Sequence, residues 1–182
     1  GFPSVDVKPC HGYLLHEFLS ARSRPGNYGG DLEGRTRLLA TIVERVRTEY
    51  PDLAVGVRLS VFDTVPYQTS REIGQPYAFA GHLPYELGFG VDRANPLAID
   101  LDEPIRLIRR LYVFCFSPFY FFFLLCLLIF LFSFLYLPSE DLLVGVWRQI
   151  DAARRCKEAA RDMVMIGTGY TYLQDYVPHV AQ

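Results

Sequence analysis

Lys8, His11 and Tyr13 sit within one short stretch, and each can give a hydrogen to an oxygen or a carbon. A lysine ammonium is a mobile point donor, an imidazole can donate to a carbonyl oxygen, and a phenol can deliver a proton near neutral pH if something stabilises its anion. They follow Val5-Asp6-Val7-Lys8, whose apolar–polar alternation is that of a strand end. The three would therefore stand at the mouth of whatever sheet this strand joins. Loop residues that merely satisfy backbone groups use the same side chains, and spacing alone does not choose between the two.

A fourth candidate comes from strand parity. Residues 53–60 read as a strand in which Val55, Val57 and Leu59 share one face and Ala54, Gly56, Arg58 and Ser60 share the other. In a parallel barrel the branched face packs under helices and the small face points inward, carrying Arg58 near the strand's C-terminal end. A buried arginine needs an anion or acceptor to offset its desolvation, either a ligand or an internal carboxylate. Parity on the first strand likewise sends Val5 and Val7 outward and Asp6 and Lys8 inward.

These side chains need elements to position them. A Gly-, Pro- and Arg-rich loop over residues 20–30 leads to Asp31, an N-cap for a helix with Glu33 in its first turn. Leu38, Leu39, Ile42, Val43 and Val46 give that helix one apolar stripe, and Pro51-Asp52 stops it. His16 and Glu17 read as loop residues. Residues 62–102 are rich in Pro, Gly and Tyr and read as a long loop, followed by a short helix over 103–110 and a third strand over 112–116. After Pro138-Ser139-Glu140-Asp141 a helix runs to about Ala160, with Val144, Trp147, Ile150 and Ala153 on one side. A fourth strand over 162–166 ends at Gly167-Thr168-Gly169. Strand ends thus recur at roughly fifty residues, against roughly thirty for a bare βα unit, and the surplus lies in the βα loops.

The fold class this predicts is α/β: about four strands of the middle-to-late part of a (β/α)8 TIM barrel, in one partial domain over residues 1–182. The chain is short for a whole barrel, which needs about 250 residues. A half-barrel leaves two strand edges unpaired, so the isolated chain is expected to be unstable or to associate into a homo-oligomer. A net charge of −2 with no basic run gives no phosphate track, which argues against a nucleic-acid partner. The four cysteines form no CxxC pair, so neither a metal site nor a disulfide framework is expected, and a reducing, cytoplasmic setting fits best. Gly1-Phe2-Pro3 begins without a charged n-region or an apolar h-region, so no signal peptide is expected and the chain reads as an internal piece.

One segment is out of line. Residues 112–137 carry no charge, and Phe, Leu and Tyr dominate them. That exceeds the roughly 20 apolar residues that span a bilayer. Arg106, Arg109 and Arg110 before it and Glu140 and Asp141 after it would place the N-terminal side inside. The alternative is a barrel loop whose polarity has decayed, lying on or near the barrel mouth.

The block from His11-Gly12-Tyr13-Leu14-Leu15-His16-Glu17-Phe18-Leu19-Ser20 through Asn27-Tyr28-Gly29-Gly30-Asp31-Leu32-Glu33-Gly34-Arg35-Thr36-Arg37 resembles the Old Yellow Enzyme family of NAD(P)H:flavin oxidoreductases, in its enoate and dienoyl-CoA reductase branch. Gly56-Val57-Arg58-Leu59-Ser60, Ser117-Pro118-Phe119-Tyr120, Val144-Gly145-Val146 and Gly167-Thr168-Gly169-Tyr170 are similar to later parts of the same pattern, with poor agreement over residues 119–137. The resemblance implies an FMN enzyme that uses NAD(P)H to reduce small activated alkenes. It implies that His11, with Lys8, polarises the substrate carbonyl and that Tyr13 protonates the α-carbon. It also implies that Arg58 lies beside the flavin and that Gly167 and Gly169 let the backbone approach its phosphate. Lys8 stands where many members have His, Pro9 removes a backbone N–H, and Gly34 replaces the Asn of Glu-Asn-Arg. The alternative to an enzyme is a catalytically dead barrel remnant that contacts a membrane or a partner through residues 112–137.

Overall fold

A computed structural model describes residues 1–71, 74–114, 122–126 and 142–168. Their central element is a four-stranded parallel sheet of β1 (Ser4–Val7), β2 (Ala54–Arg58), β5 (Phe122–Cys126) and β6 (Val164–Thr168), in the order β1-β2-β5-β6. Strand order follows chain order without a reversal. Right-handed crossovers then place every connecting helix on the same face, as in a barrel and unlike a doubly wound sheet. The long helices α2 (Leu32–Glu49), α3 (Asp102–Phe114) and α4 (Leu142–Ala159) accordingly touch in sequence, α2 on α3 and α3 on α4. The described strands form an open sheet and do not close a barrel, as expected for part of one.

Parity holds where helices cover the sheet. Val55, Val57 and Leu59 are fully buried against Leu39 and Val43 of α2 and Leu107, Ile108 and Leu111 of α3. On β1, Val7 is buried but Val5 stays 36% exposed, because β1 is an edge strand with little above it. Asp31 caps α2 as expected, its carboxylate accepting the Gly34 N–H at 2.8 Å. Pro9 has no N–H to give, yet its carbonyl accepts from Ser60 N–H at 3.2 Å and extends the β1–β2 pairing beyond the strand.

Four expectations need correction. Residues 112–114 belong to α3, which is longer than the short helix predicted, and the third sheet strand lies at Phe122–Cys126. Leu107, Ile108 and Leu111 keep helical spacing right up to the apolar run, so nothing in the sequence punctuates the helix end. On α4 the buried side includes Val146, Gln149, Ala152 and Cys156, whereas Val144 and Trp147 are 45% and 69% exposed. His16 and Glu17 are helical, in α1 (Leu14–Leu19). The long loop is not bare either: it contains a two-stranded antiparallel pair, β3 (Tyr67–Gln68) with β4 (Gln75–Pro76), and a bridge between Val91 and Ile99.

Within that loop Gly90 has φ +66°, and a Cβ there would fall 1.9 Å from the Val61 carbonyl oxygen. Gly90→Ala is expected to lose more than about 2 kcal/mol in urea denaturation, the left-handed penalty and the backbone collision adding. Gly26→Ala, at φ +87° with nothing within 4 Å, should lose only the conformational part, about 1 kcal/mol. Equal losses at the two sites would show that the Gly90–Val61 contact is unimportant.

Of the apolar segment, residues 115–121 and 127–137 lie outside the described residues, and the membrane-span and decayed-loop readings fall largely on them. The described part is the end of α3 and a strand paired on both sides. Among the described residues no helix is long and apolar enough to cross a membrane.

Candidate active site

A parallel sheet puts all its C-terminal strand ends on one side, and the candidate residues gather there. Val7 is in register with Val57, so Lys8, one residue on, stands level with Arg58. Arg58 pairs across to Leu124, and one step further along β5 Leu125 pairs with Gly167. Gly167 is thus at the same end of the sheet, two strands away, and Gly169 lies outside the described residues.

The β1–α1 connection is tight. His11 (φ +61°) and Gly12 (φ +69°) are consecutive left-handed residues, and Tyr13 is the N-cap of α1. A non-glycine residue in that region costs roughly 1–2 kcal/mol and persists where its surroundings hold it. The corner leaves His11 and Tyr13 exposed above the sheet. Lys8 Nζ lies 4.1 Å from the centroid of the Tyr13 ring, a cation over a π face. Lys8 and Tyr13 are therefore brought together.

His11 is close enough to feel its neighbours. Desolvation first, then the charges of Lys8, Arg58 and His16, push its pKa below the ordinary 6.5. A lowered pKa keeps the ring neutral at pH 7, with one N–H donor and one acceptor. Such a ring can hydrogen-bond a carbonyl oxygen without bringing a second full charge beside Lys8.

Arg58 is split between two duties. Its Nη2 pairs with Asp6 at 2.7 Å, the internal carboxylate that parity placed on the same face. Its Nε is buried and has no hydrogen-bond partner among the described residues. The Nη2 donor is thus paired inside the protein, and the Nε–H is left for an acceptor from elsewhere. Gly56, on the same face one step back, presents no side chain.

Two side chains at this corner escaped sequence reasoning. His16 Nε2 lies 3.0 Å from each carboxylate oxygen of Asp63, and its Nδ1 accepts the Gly12 N–H at 2.9 Å. The one local signal was spacing: His16 is the third residue of α1, from where a side chain can reach back to free N–H groups before the helix. Asp63 gave none, since it lies just past β2 in an irregular stretch. Cys156 is buried, and burial pushes its thiol pKa up to about 12, so little thiolate is present near neutral pH.

Residues 1–101 match the NADH:flavin oxidoreductase / NADH oxidase family. That stretch holds Lys8, His11, Tyr13 and Arg58; Gly167 and the apolar run lie beyond it. The chain is 43% identical over 65 residues to putative 12-oxophytodienoate reductase 2 of Oryza sativa subsp. japonica, covering 35% of this chain and 17% of that protein. It is 39% identical over 70 residues to NADH:flavin oxidoreductase FG08077 of Gibberella zeae, covering 37% and 17%. It is 41% identical over 68 residues to the NADH-dependent flavin oxidoreductase iliE of Hypocrea jecorina, covering 36% and 17%. The matched stretches are about a sixth of these relatives' own length. On the family match over residues 1–101, with its candidate groups gathered at the carboxyl ends of parallel strands, the chain belongs to the NADH:flavin oxidoreductase / NADH oxidase family.

Proposed function

We propose that this chain carries the substrate-activating corner of an FMN-dependent oxidoreductase that uses NAD(P)H to reduce alkenes conjugated to a carbonyl, such as enones and enoates. The observation that supports it most is the convergence of Lys8, neutral His11, Tyr13 and the half-satisfied Arg58 at one end of the β1–β2 pair. When bound, FMN would supply the hydride. Arg58 fits that group, because its unpartnered buried Nε asks for an acceptor; Gly167, with Gly169, would let the backbone approach the phosphate.

The remaining work falls to this chain's own side chains. His11, uncharged, donates its ring N–H to the substrate carbonyl oxygen, and the Lys8 ammonium adds positive potential where negative charge gathers. Tyr13 gives its phenolic proton to the α-carbon, and Lys8 over the ring stabilises the phenolate left behind. The cytoplasm, where the cysteines stay thiols, and self-association through the β1 and β6 edges belong to the same reading.

Titration of the purified chain with FMN, followed by quenching of flavin fluorescence, tests the reading. Binding should weaken about tenfold or more in Arg58→Leu, the value of a hydrogen bond to a charged group. Unchanged affinity in that variant would remove Arg58 from the site. A wild-type chain that binds no FMN and partitions into detergent would favour the inactive remnant instead.

A further inference from the structure

His16 and Asp63 touch no substrate in the proposed reaction, yet they join four separate segments at this end of the sheet. Asp63 is held first: its N–H donates to the Phe89 carbonyl at 2.8 Å, and its Oδ2 accepts from Phe89 N–H at 3.3 Å. The carboxylate then faces His16 Nε2, 3.0 Å from both oxygens. On the other side of the ring, Nδ1 accepts the Gly12 N–H at 2.9 Å. These bonds choose the tautomer. Nδ1 must keep its lone pair for Gly12, so Nε2 carries the hydrogen and donates to Asp63.

Gly12 is the second residue of the left-handed pair that presents His11 and leads into Tyr13. The geometry points to His16 and Asp63 as a positioning pair: Asp63 orients the His16 ring, and His16 pins the Gly12 N–H so that the strained corner holds His11 and Tyr13 in place. This rests on the reading of His11 and Tyr13 as carbonyl donor and acid.

The pair also responds to pH with a definite sign. Burial opposes charge on His16, but the hydrogen bond and charge of Asp63, with the charge of Glu17, outweigh it and raise the ring's pKa above 6.5. The nearby His11 is the other titrating ring, with Lys8 and Arg58 behind it. Tyr85 faces Asp63 from the long loop, its own pKa raised by burial and by that carboxylate. Charging His16 puts a hydrogen on Nδ1 facing the Gly12 N–H. The bond to Gly12 is therefore present above the raised pKa and lost as pH falls through it, while the Asp63 contact survives.

The test is made on the full chain by 15N NMR and steady-state kinetics. His16→Asn keeps an acceptor at the position of Nδ1 but cannot reach Asp63; His16→Gln reaches Asp63 but has no acceptor for Gly12. Wild-type His16 should show an unprotonated Nδ1 once the pH is above the ring's raised pKa. Gly12 amide exchange, relative to its intrinsic rate, should rise about tenfold in His16→Gln and as pH falls, with His16→Asn close to wild type. Turnover of 2-cyclohexenone with added FMN and NADPH should drop about tenfold in His16→Gln and recover in His16→Asn, at unchanged melting temperature. A protonated Nδ1 at alkaline pH, or Gly12 exchange indifferent to His16→Gln, overturns the inference whatever the kinetics show. A wild-type chain that turns over no enone sinks the proposed function alone, since the NMR measurements still decide the corner.

Discussion

Replacing Arg35 with alanine is expected to remove about 3 kcal/mol or more of stability, a large part of what a domain this size has. Arg35 is 1% exposed, and each nitrogen of its guanidinium group has an acceptor. Nε donates to the Gly30 carbonyl at 3.0 Å, Nη1 to the Leu19 carbonyl, and Nη2 to Glu103 at 2.6 Å. Arg22 completes the cluster, reaching both Glu103 oxygens at 3.1 and 2.6 Å. Truncation would leave two carbonyls without donors and half-undress a carboxylate, while opening a cavity. Lysine cannot replace a planar fork that serves three acceptors, so Arg35→Lys should recover little.

The cluster predicts a pH signature as well. Burial raises the pKa of Glu103, but the hydrogen bonds of Arg22 and Arg35 and then their charges outweigh it, so the carboxyl sits below its ordinary 4.5. A depressed carboxyl contributes stability that is fully present above pH 4.5 and is lost as pH falls through the folded value. The gap between wild type and Arg35→Ala in urea denaturation should therefore narrow on acidification. A loss under about 1 kcal/mol at pH 7, or a gap that ignores pH, would show that the cluster is ornamental.

Removing only the phenolic oxygen in Tyr13→Phe is expected to slow enone reduction by about 10²–10⁴, the usual worth of a positioned general acid. The fold should not notice. Tyr13 is 57% exposed, and Lys8 can still lie over the phenylalanine ring. NADPH oxidation with oxygen as acceptor needs no proton on carbon from this residue and should be unchanged, which separates a lost acid from a lost flavin. Turnover within threefold of wild type would assign the proton to another donor.

How legible this was depended on whether a residue's role was local. β1, α2, β2 and β6 could be read because each combines a periodic apolar set with a flanking Pro, Gly or cap, as Asp31 and Pro51 do for α2. The third strand was misplaced because the apolar run has no period and no breaker, so helix end and strand start leave no mark. On α4, residue type misled: Trp147 is apolar but exposed, and Gln149 is polar but buried. The placement of Lys8, His11, Tyr13 and Arg58 at one end of the sheet was legible from strand ends and parity. The His16–Asp63 contact was not, because it spans 47 residues and exists only after α1 and the end of β2 meet.

The chain-order sheet also bears on how the polypeptide assembles. β2 pairs with β1, β5 with β2 and β6 with β5, so each strand's partner precedes it in the chain. During synthesis every strand emerges when its template is already outside the ribosome, and no strand must wait for a later one to be made. The loops to be closed, from Ser4 to Ala54, Gly56 to Phe122 and Phe122 to Val164, are of similar size, so their closure entropies are nearly equal. The sheet can grow by one βα unit at a time from its N-terminal side. Growth of that kind lets each added strand and its helix extend a core that is already in place.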